Sequence, residues 1–331
     1  MSNYSARRRR FLISAVATGG ALLAAPGLLR AQSYATRPVT IVVPNAAGGG
    51  NDLFARLIQP VLQQELGQPI LVENRAGAAG NIGLAYARDA DPDGHVLFCS
   101  SSGMMATAHT HQNVPGNPVD ILEHITMLVI GNFTFTIPAT LGPKNWQEFS
   151  ALAKSKPGEF RHGTPGAGAN IHLSAELLKL REGLDMQAIH YKGSPDIMTD
   201  LLSNQIQMAN NAISTTASHI RAGSLVPLFT ASQERETEID GIPTSAELGI
   251  ADVDRINNWY ALHAPKGTPE EILTQVHAAT IKALQRPEAV EKATAAGMKI
   301  VGDSRESFIA RMQADDAIFA SVAQATGIRV G

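Results

Sequence analysis

The chain has 331 residues, with 27 Lys and Arg against 30 Asp and Glu, and 44% of it is apolar. That length suffices for one large domain or two ordinary ones, and 17% charged residues beside 29 Gly exclude a disordered or fibrous chain. Five Arg and no acid fall in the first 33 residues, so the remainder holds 22 basic against 30 acidic side chains, a net charge of −8. With aromatic residues at only 5%, neither phosphate-backbone binding nor a base-stacking platform fits, and no nucleic-acid partner is expected.

Residues 1–33 read as an export signal peptide. Arg7 to Arg10 lead into an apolar run from Phe11 to Leu29, and Ala31-Gln32-Ser33 supplies the small residues a signal peptidase reads. Gly19, Gly20, Ser14, Thr18 and Pro26 dilute the run below what a stable membrane span carries. Arg8-Arg9-Arg10-Phe11-Leu12 is similar to the twin-arginine export signature R-R-x-F-L. An ordinary secretory signal with a basic start, or an uncleaved anchor, are the other readings of the same residues. Cleavage near Ser33 predicts a periplasmic protein. Cys99 has no intramolecular disulfide partner, so the core alone must hold the exported chain.

From residue 39 onward the pattern is strand, loop and helix in repetition. Val39–Val43 is β-branched and closed by Pro44, which predicts a strand. Leu53, Phe54, Leu57, Ile58, Val61, Leu62 and Leu66 then recur at helical spacing, with Asn51 or Asp52 as a natural N-cap, a kink expected at Pro60 and a stop at Gly67. Strands are predicted over 69–73 and 95–100, a short helix over 82–89, and a looser stretch over 103–120. Further strands are predicted at 125–130, 133–138, 160–163, 189–191 and 206–211. Helices are predicted from Asn145 to Lys156, over 170–181, 194–202, 215–221, 269–284 and 287–296, and over 305–326, whose apolar stripe fits core packing. This alternation indicates an α/β chain with largely parallel pairing. No repeat of 20–50 residues is present, and no low-complexity linker divides the chain, so two domains would require more than one crossing.

Two Gly-rich loops stand between a strand and a helix, where exposed N–H groups and the helix dipole favour an anion. The first is Pro44 to Asp52, containing Gly48-Gly49-Gly50; it matches neither the Walker nor the dinucleotide spacing. The second is His162 to Asn170. Ser100-Ser101-Ser102-Gly103 is either a third contributor or a plain polar loop. Two anion-ready loops in an acidic chain predict a small ligand with more than one carboxylate.

Pro44-Asn45-Ala46-Ala47-Gly48-Gly49-Gly50-Asn51-Asp52 resembles the P-F-A-A-G-G-x-x-D loop of the Bug family, the periplasmic substrate-binding proteins of tripartite tricarboxylate transporters. The resemblance runs from Tyr34 to the C-terminus and includes Gly67-Gln68-Pro69, Glu73-Asn74-Arg75, Pro92-Asp93-Gly94, Lys156-Pro157-Gly158, Tyr191-Lys192-Gly193-Ser194 and Ala264-Pro265-Lys266-Gly267-Thr268-Pro269. It implies a two-lobed Venus-flytrap fold (type II periplasmic binding protein) with lobe one at 34–133 plus 255–331, lobe two at 134–254, and a ligand cleft between them. It also implies that Ala47, Gly48, Gly49 and Asp52 of the first loop, and Gly168, Ala169 and Asn170 of the second, contact ligand carboxylates. Ser101 and Ser102 match the family's small hydroxyl positions. Asn45 stands where the family usually has Phe, and Asn210 where it commonly has an acid, which implies a carboxylate ligand lacking an amine. Partners implied are a small carboxylate and either permease subunits or a membrane sensor. The protein is expected to act as a monomer without a cofactor.

The rival reading is a periplasmic hydrolase using Ser101 or Cys99, although no G-x-S-x-G elbow is present. His109-Thr110-His111 offers two alternate ligands without a third at metal spacing, so surface histidines are expected there and no metal site. Of His162, His172 and His190 near the second loop, one is a candidate to line the cleft. Lys192 is either a ligand contact or a surface charge.

Overall fold

The computed structural model describes residues 34–331; the export signal expected at 1–33 lies outside them. Two mixed sheets are flanked by helices. The first sheet has the order β11-β4-β10-β3-β1-β2 and the second β7-β6-β8-β5-β9. The first is built from β1 (Val39–Val43), β2 (Ile70–Asn74), β3 (Val96–Ser101), β4 (Leu122–Gly131), β10 (Asn258–Pro265) and β11 (Lys299–Ile300). The second contains β5 (Phe133–Pro138), β6 (Phe160–Thr164), β7 (Met186–His190), β8 (Met208–Ala212) and β9 (Leu225–Thr230).

The helices are α1 (Gly50–Leu66), α2 (Asn81–Arg88), α3 (Ser102–Thr110), α4 (Pro118–Ile121), α5 (Trp146–Ser155) and α6 (Asn170–Glu182). They continue with α7 (Ser194–Leu202), α8 (Ile213–Arg221), α9 (Glu270–Leu284), α10 (Pro287–Ala295) and α11 (Arg305–Thr326). Among the described residues no helix is long and apolar enough to cross a membrane.

β1 lies between two parallel neighbours, Val39 opposite Ile70 of β2 and Thr40 opposite Val96 of β3. Its side chains alternate between faces: Val39, Ile41 and Val43 join the core under α1 and α9, and Val42 joins Leu84 of α2 with Phe98 and Met104 on the other. A strand buried on both faces needs a near-continuous apolar run, which Val39–Val43 supplies apart from the half-buried Thr40. α1 runs on through Pro60 to a left-handed Gly67, and its N-cap is Gly49 without a side-chain bond, not Asn51 or Asp52.

The expectation of largely parallel pairing needs correction. β10 runs antiparallel to both β3 and β4, β11 antiparallel to β4, and β5 antiparallel to β8 and β9. The reason is the connectivity. The chain leaves the first sheet after Gly131, builds the whole second sheet from Phe133 to Thr230, and returns to the first as β10, so the second sheet is one continuous insertion in the first and the returning strand runs antiparallel to its neighbours. Asn132 is the single residue between β4 and β5. Both sheets turn the carboxyl ends of their parallel strands toward the loops that form the site.

Candidate functional site

A cavity of about 270 Å³ lies where the loops after β1, β3 and β6 meet. Pro44 and Asn45 follow β1, Ala79 and Gly80 precede α2, and Ser101, Gly103, Met104, Thr107 and His111 belong to the end of β3, to α3 and to its C-cap. Pro165, Gly166, Ala167, Gly168 and Ala169 close it from the second sheet. Its size lies near the lower end of the ~300–1,000 Å³ usual for ligand pockets, which fits a small molecule. None of these lining residues is Asp, Glu, Lys or Arg.

Three of them are helix N-caps: Gly80 for α2, Ser101 for α3 and Ala169 for α6, and none makes a side-chain capping bond. Among the described residues a side-chain cap is present only at α4, α5 and α11, from Asn117, Asn145 and Ser304, so what distinguishes α2, α3 and α6 is that their uncapped ends meet at one cavity. Asn81 N–H of α2 turns back on Ala78 O, but the other first-turn N–H groups of α2 and those of α3 and α6 have no intrahelical acceptor, so three positive dipole ends converge on a cavity without Asp, Glu, Lys or Arg. Such an arrangement receives an anion without a cationic side chain.

The first Gly-rich loop has a different arrangement. The Asp52 carboxylate, almost fully buried, accepts from Gly48 N–H (3.0 Å), Arg56 Nε (3.0 Å) and Asn74 Nδ2 (3.0 Å). Hydrogen bonding from Arg56 is the chief cause that holds its pKa down at about 2. Asp52 therefore supplies the loop's own anion. Ala47, Gly48, Gly49 and Asp52 are not among the cavity-lining residues, whereas Asn45 is. Asn74 Nδ2 also donates to Asn45 O (3.0 Å), tying the loop to β2.

Across the cavity, Asn170 Nδ2 donates to Ser102 Oγ (2.9 Å) and, at longer range, to Asn257 O (3.4 Å). Thr110 Oγ1 lies 3.2 Å from Gly168 O. The Asn170 bond joins the first turn of α6 to the first turn of α3, and Thr110 at the far end of α3 lies against the loop after β6. Gly168 and Ala169 line the cavity, while Ser102 and Asn170 hold its two walls together. Asn210 is buried, donates Nδ2 to Ile171 O (3.1 Å) in the first turn of α6, and leaves its Oδ1 without a partner. Lys192 is exposed and lies outside the lining.

The histidines depart most from expectation. His109 and His111, expected at the surface, are half-buried, and His95, His124, His162, His172 and His263 are buried. His109 Nε2 pairs with Asp316 Oδ1 (2.5 Å), and His111 lines the cavity, where His162, His172 or His190 were the candidates. His172 instead supports the second loop from behind: its Nδ1 accepts from Gly168 N–H (3.0 Å). That bond requires the proton on Nε2, which faces Glu176 (3.5 Å). Burial acts to raise the Glu176 pKa, but bonds from His162 (3.1 Å), His172 and Lys179 (2.8 Å) hold it well below the carboxylate range.

His162, His172 and Glu176 bring three ligating atoms within 4.8 Å of one another, a grouping the spacing did not reveal. The atoms that face one another are already used within the cluster, by Lys179 and by Gly168, and His162 Nδ1 is buried without a partner. A metal on His172 Nε2 would move the proton to Nδ1, against the Gly168 N–H.

Of the candidate nucleophiles, Cys99 is fully buried, its thiol faces Asn51 O (3.4 Å), and burial pushes its pKa up to about 12. The serine that meets a histidine is Ser100, its hydroxyl 2.6 Å from His263 Nε2. His263 Nδ1 in turn faces His124 Nδ1 (2.9 Å), and all three side chains are buried in the sheet.

Two α/β sheets, the second inserted in the first, with a small anion-receptive cavity at the strand ends, define a solute-binding protein of the two-domain periplasmic type. The comparisons agree. The model of the tripartite tricarboxylate transporter family receptor (TctC) matches residues 54–323, and the chain belongs to that family. Protein BugT of Bordetella pertussis is 33% identical over 303 residues, covering 89% of this chain and 90% of its own. Among solved structures, an R. palustris protein with adipate is similar at 27% identity and TM-score 0.71, covering 89% of this chain and 98% of that one. MatC from Rhodopseudomonas palustris with bound malate is similar at 26% identity and TM-score 0.68, covering 87% and 99%.

Proposed function

We propose that this protein captures a small carboxylate, a di- or tricarboxylate or an aromatic acid, outside the cytoplasm and presents it to the permease subunits of a tripartite tricarboxylate transporter. The observation that carries this reading is the convergence of the uncapped α2, α3 and α6 N-termini on a cavity lined by no acid. Each charge-assisted bond contributes roughly 1.5–3 kcal/mol before ordering costs, which puts micromolar affinity within reach. The similar proteins solved with adipate and malate support the same ligand chemistry. With no carboxylate in the lining, a ligand ammonium would lack a counter-charge, so an acid without an amine is favoured.

In this reading Asn45, Ser101, Gly168 and Ala169 meet the ligand together with Gly80, Gly103 and Thr107. Ala47, Gly48, Gly49 and Asp52 shape the first wall, Ser102 and Asn170 latch it to the second, and Asn210 props the first turn of α6. Lobe one comprises 34–133 with 255–331, and lobe two comprises 134–254. The lobes close about the two crossings, where Asn257 Nδ2 reaches Asn132 Oδ1 (3.3 Å). Closure is driven only by the ligand's greater affinity for the closed state. Residues 1–33 direct export to the periplasm. No chemical step is assigned, because Cys99 is an unreactive buried thiol and, among the described residues, no base is bonded to Ser101.

A thermal-shift screen of the chain from Tyr34 onward against mono-, di- and tricarboxylates tests the reading. A shift for one or a few acids, with the compound recovered intact, is the expected result. Absence of any shift, or consumption of an acid, overturns it.

A further inference from the structure

His111 is the one titratable side chain among the residues that line the cavity. Thr110 Oγ1 faces two carbonyls, Ala106 O at 2.8 Å four residues back in α3 and Gly168 O at 3.2 Å, and donates its one hydrogen to the nearer. The same oxygen stands 3.0 Å from His111 Nδ1 and can only accept from it. Neutral His111 therefore carries its proton on Nδ1 and has a bare lone pair on Nε2, which no group bonds among the described residues. A carboxylate brought against that lone pair is repelled; the same carboxylate against an Nε2–H gains a charge-assisted bond.

We propose that His111 is the specificity-determining residue of the cavity, taking up a proton on Nε2 when a ligand carboxylate docks against it. The inference rests on the carboxylate-binding reading above and adds that binding is coupled to proton uptake.

The elements around His111 leave this titration to the ligand. The loop Pro165 to Ala169 has no ionisable side chain. Asp316 of α11 is paired with His109, Arg329 reaches His109 O (2.9 Å), and Arg88 reaches Pro115 O (2.8 Å). The C-terminal carboxylate at Gly331 follows Val330, the bridge partner of His111. Burial alone lowers the His111 pKa from its ordinary value, with no charge contributing. In the free protein the ring is thus neutral at pH 7, and a docked anion raises its pKa. Affinity is then full below the free-state pKa, falls as pH rises through the window up to the bound-state pKa, and levels off above it.

The test is calorimetric titration with malonate, succinate, malate, glutarate and adipate between pH 5.5 and 8.5, in buffers of differing ionisation enthalpy, on the wild type and His111→Gln. For the acids that bind, the wild type is expected to take up close to one proton and to lose up to about tenfold in affinity per pH unit. His111→Gln, whose amide offers a donor at every pH, is expected to bind with a flat profile and at least as tightly at pH 8.5. Binding without proton uptake in the wild type, or an unchanged pH slope in the variant, overturns the inference and leaves the carboxylate reading standing. Failure of all five acids to bind at any pH counts against the carboxylate reading itself and the inference with it.

Discussion

Asn170 Nδ2 donates to Ser102 Oγ across 2.9 Å, and this bond ties the first turn of α6 on the second sheet to the first turn of α3 on the first. Ser102 is fully buried, and its oxygen also receives Trp259 N–H at 3.4 Å. The bond can form only while the two loops face each other, so it contributes to the closed arrangement and not to either lobe alone. Asn170→Ala is expected to weaken ligand binding roughly 5- to 30-fold, about 1–2 kcal/mol, with a smaller effect on thermal stability. Calorimetry on wild type and variant reads both, and an unchanged affinity would show that the bond is no latch.

Asp52 makes stability depend on pH at the acid end. Its carboxyl titrates near 2 when folded, below the ordinary carboxylate value, chiefly through the bond from Arg56. A depressed acid contributes its stability in full above the unfolded-state pKa, and that contribution disappears as pH falls toward 2. Asp52→Asn is expected to cost about 1–2 kcal/mol at pH 7 and progressively less between pH 4 and 2.5. Urea melts at pH 7, 4 and 3 measure the difference, and a gap that stays constant would contradict the assignment.

Gly50 is required by a neighbour. A Cβ there would stand 2.0 Å from Tyr260 Oη and 2.3 Å from its Cζ. The Tyr260 ring packs on Phe54, centroids 5.2 Å apart, one turn further along α1. Gly50→Ala is expected to destabilise the fold by about 1–3 kcal/mol through overpacking, and Tyr260→Ala in the same chain should recover part of it. Denaturant melts of the three variants check this. A neutral Gly50→Ala would mean that Tyr260 moves freely.

How far the sequence disclosed this molecule depended on how local each signal was. Val39–Val43 and the stripe of Phe308, Met312 and Phe319 in α11 carry their periodicity in the chain, and both elements stand as expected. β9 escaped because Pro227 interrupts it, which an edge strand tolerates. β10 escaped because Asn258 and His263 read as polar, although His263 is buried and bonded to Ser100 and His124. α3 has buried residues on most of its circumference, among them Met104, Met105, Ala106 and Thr110, so no amphipathic stripe marks it.

The site divides in the same way. Both Gly-rich loops were legible from glycine and strand–helix order, because chain direction puts them at strand ends. That Gly48 N–H is bonded to Asp52 and Gly168 N–H to His172 follows from side-chain geometry four residues along, and no composition pattern signals it. His111 reached the cavity through the bridge between its backbone and Val330, more than two hundred residues away in the chain. The one local hint was that His109-Thr110-His111 had no other evident use.

The placement of the anion at the uncapped helix N-termini is tested most directly at Gly103. This position lies in the first turn of α3, lines the cavity, and has room for a Cβ, which would come no nearer than 3.5 Å to Ser101 Oγ. Gly103→Asp places a carboxylate on the same dipole end that the ligand would use. The free protein should keep or gain thermal stability, since an acid in the first turn complements the dipole. Calorimetric titration of wild type and Gly103→Asp with the acid giving the largest thermal shift is therefore the decisive measurement. At least a tenfold weaker affinity with an undiminished melting temperature is the predicted result; an unchanged affinity in the folded variant would contradict the site.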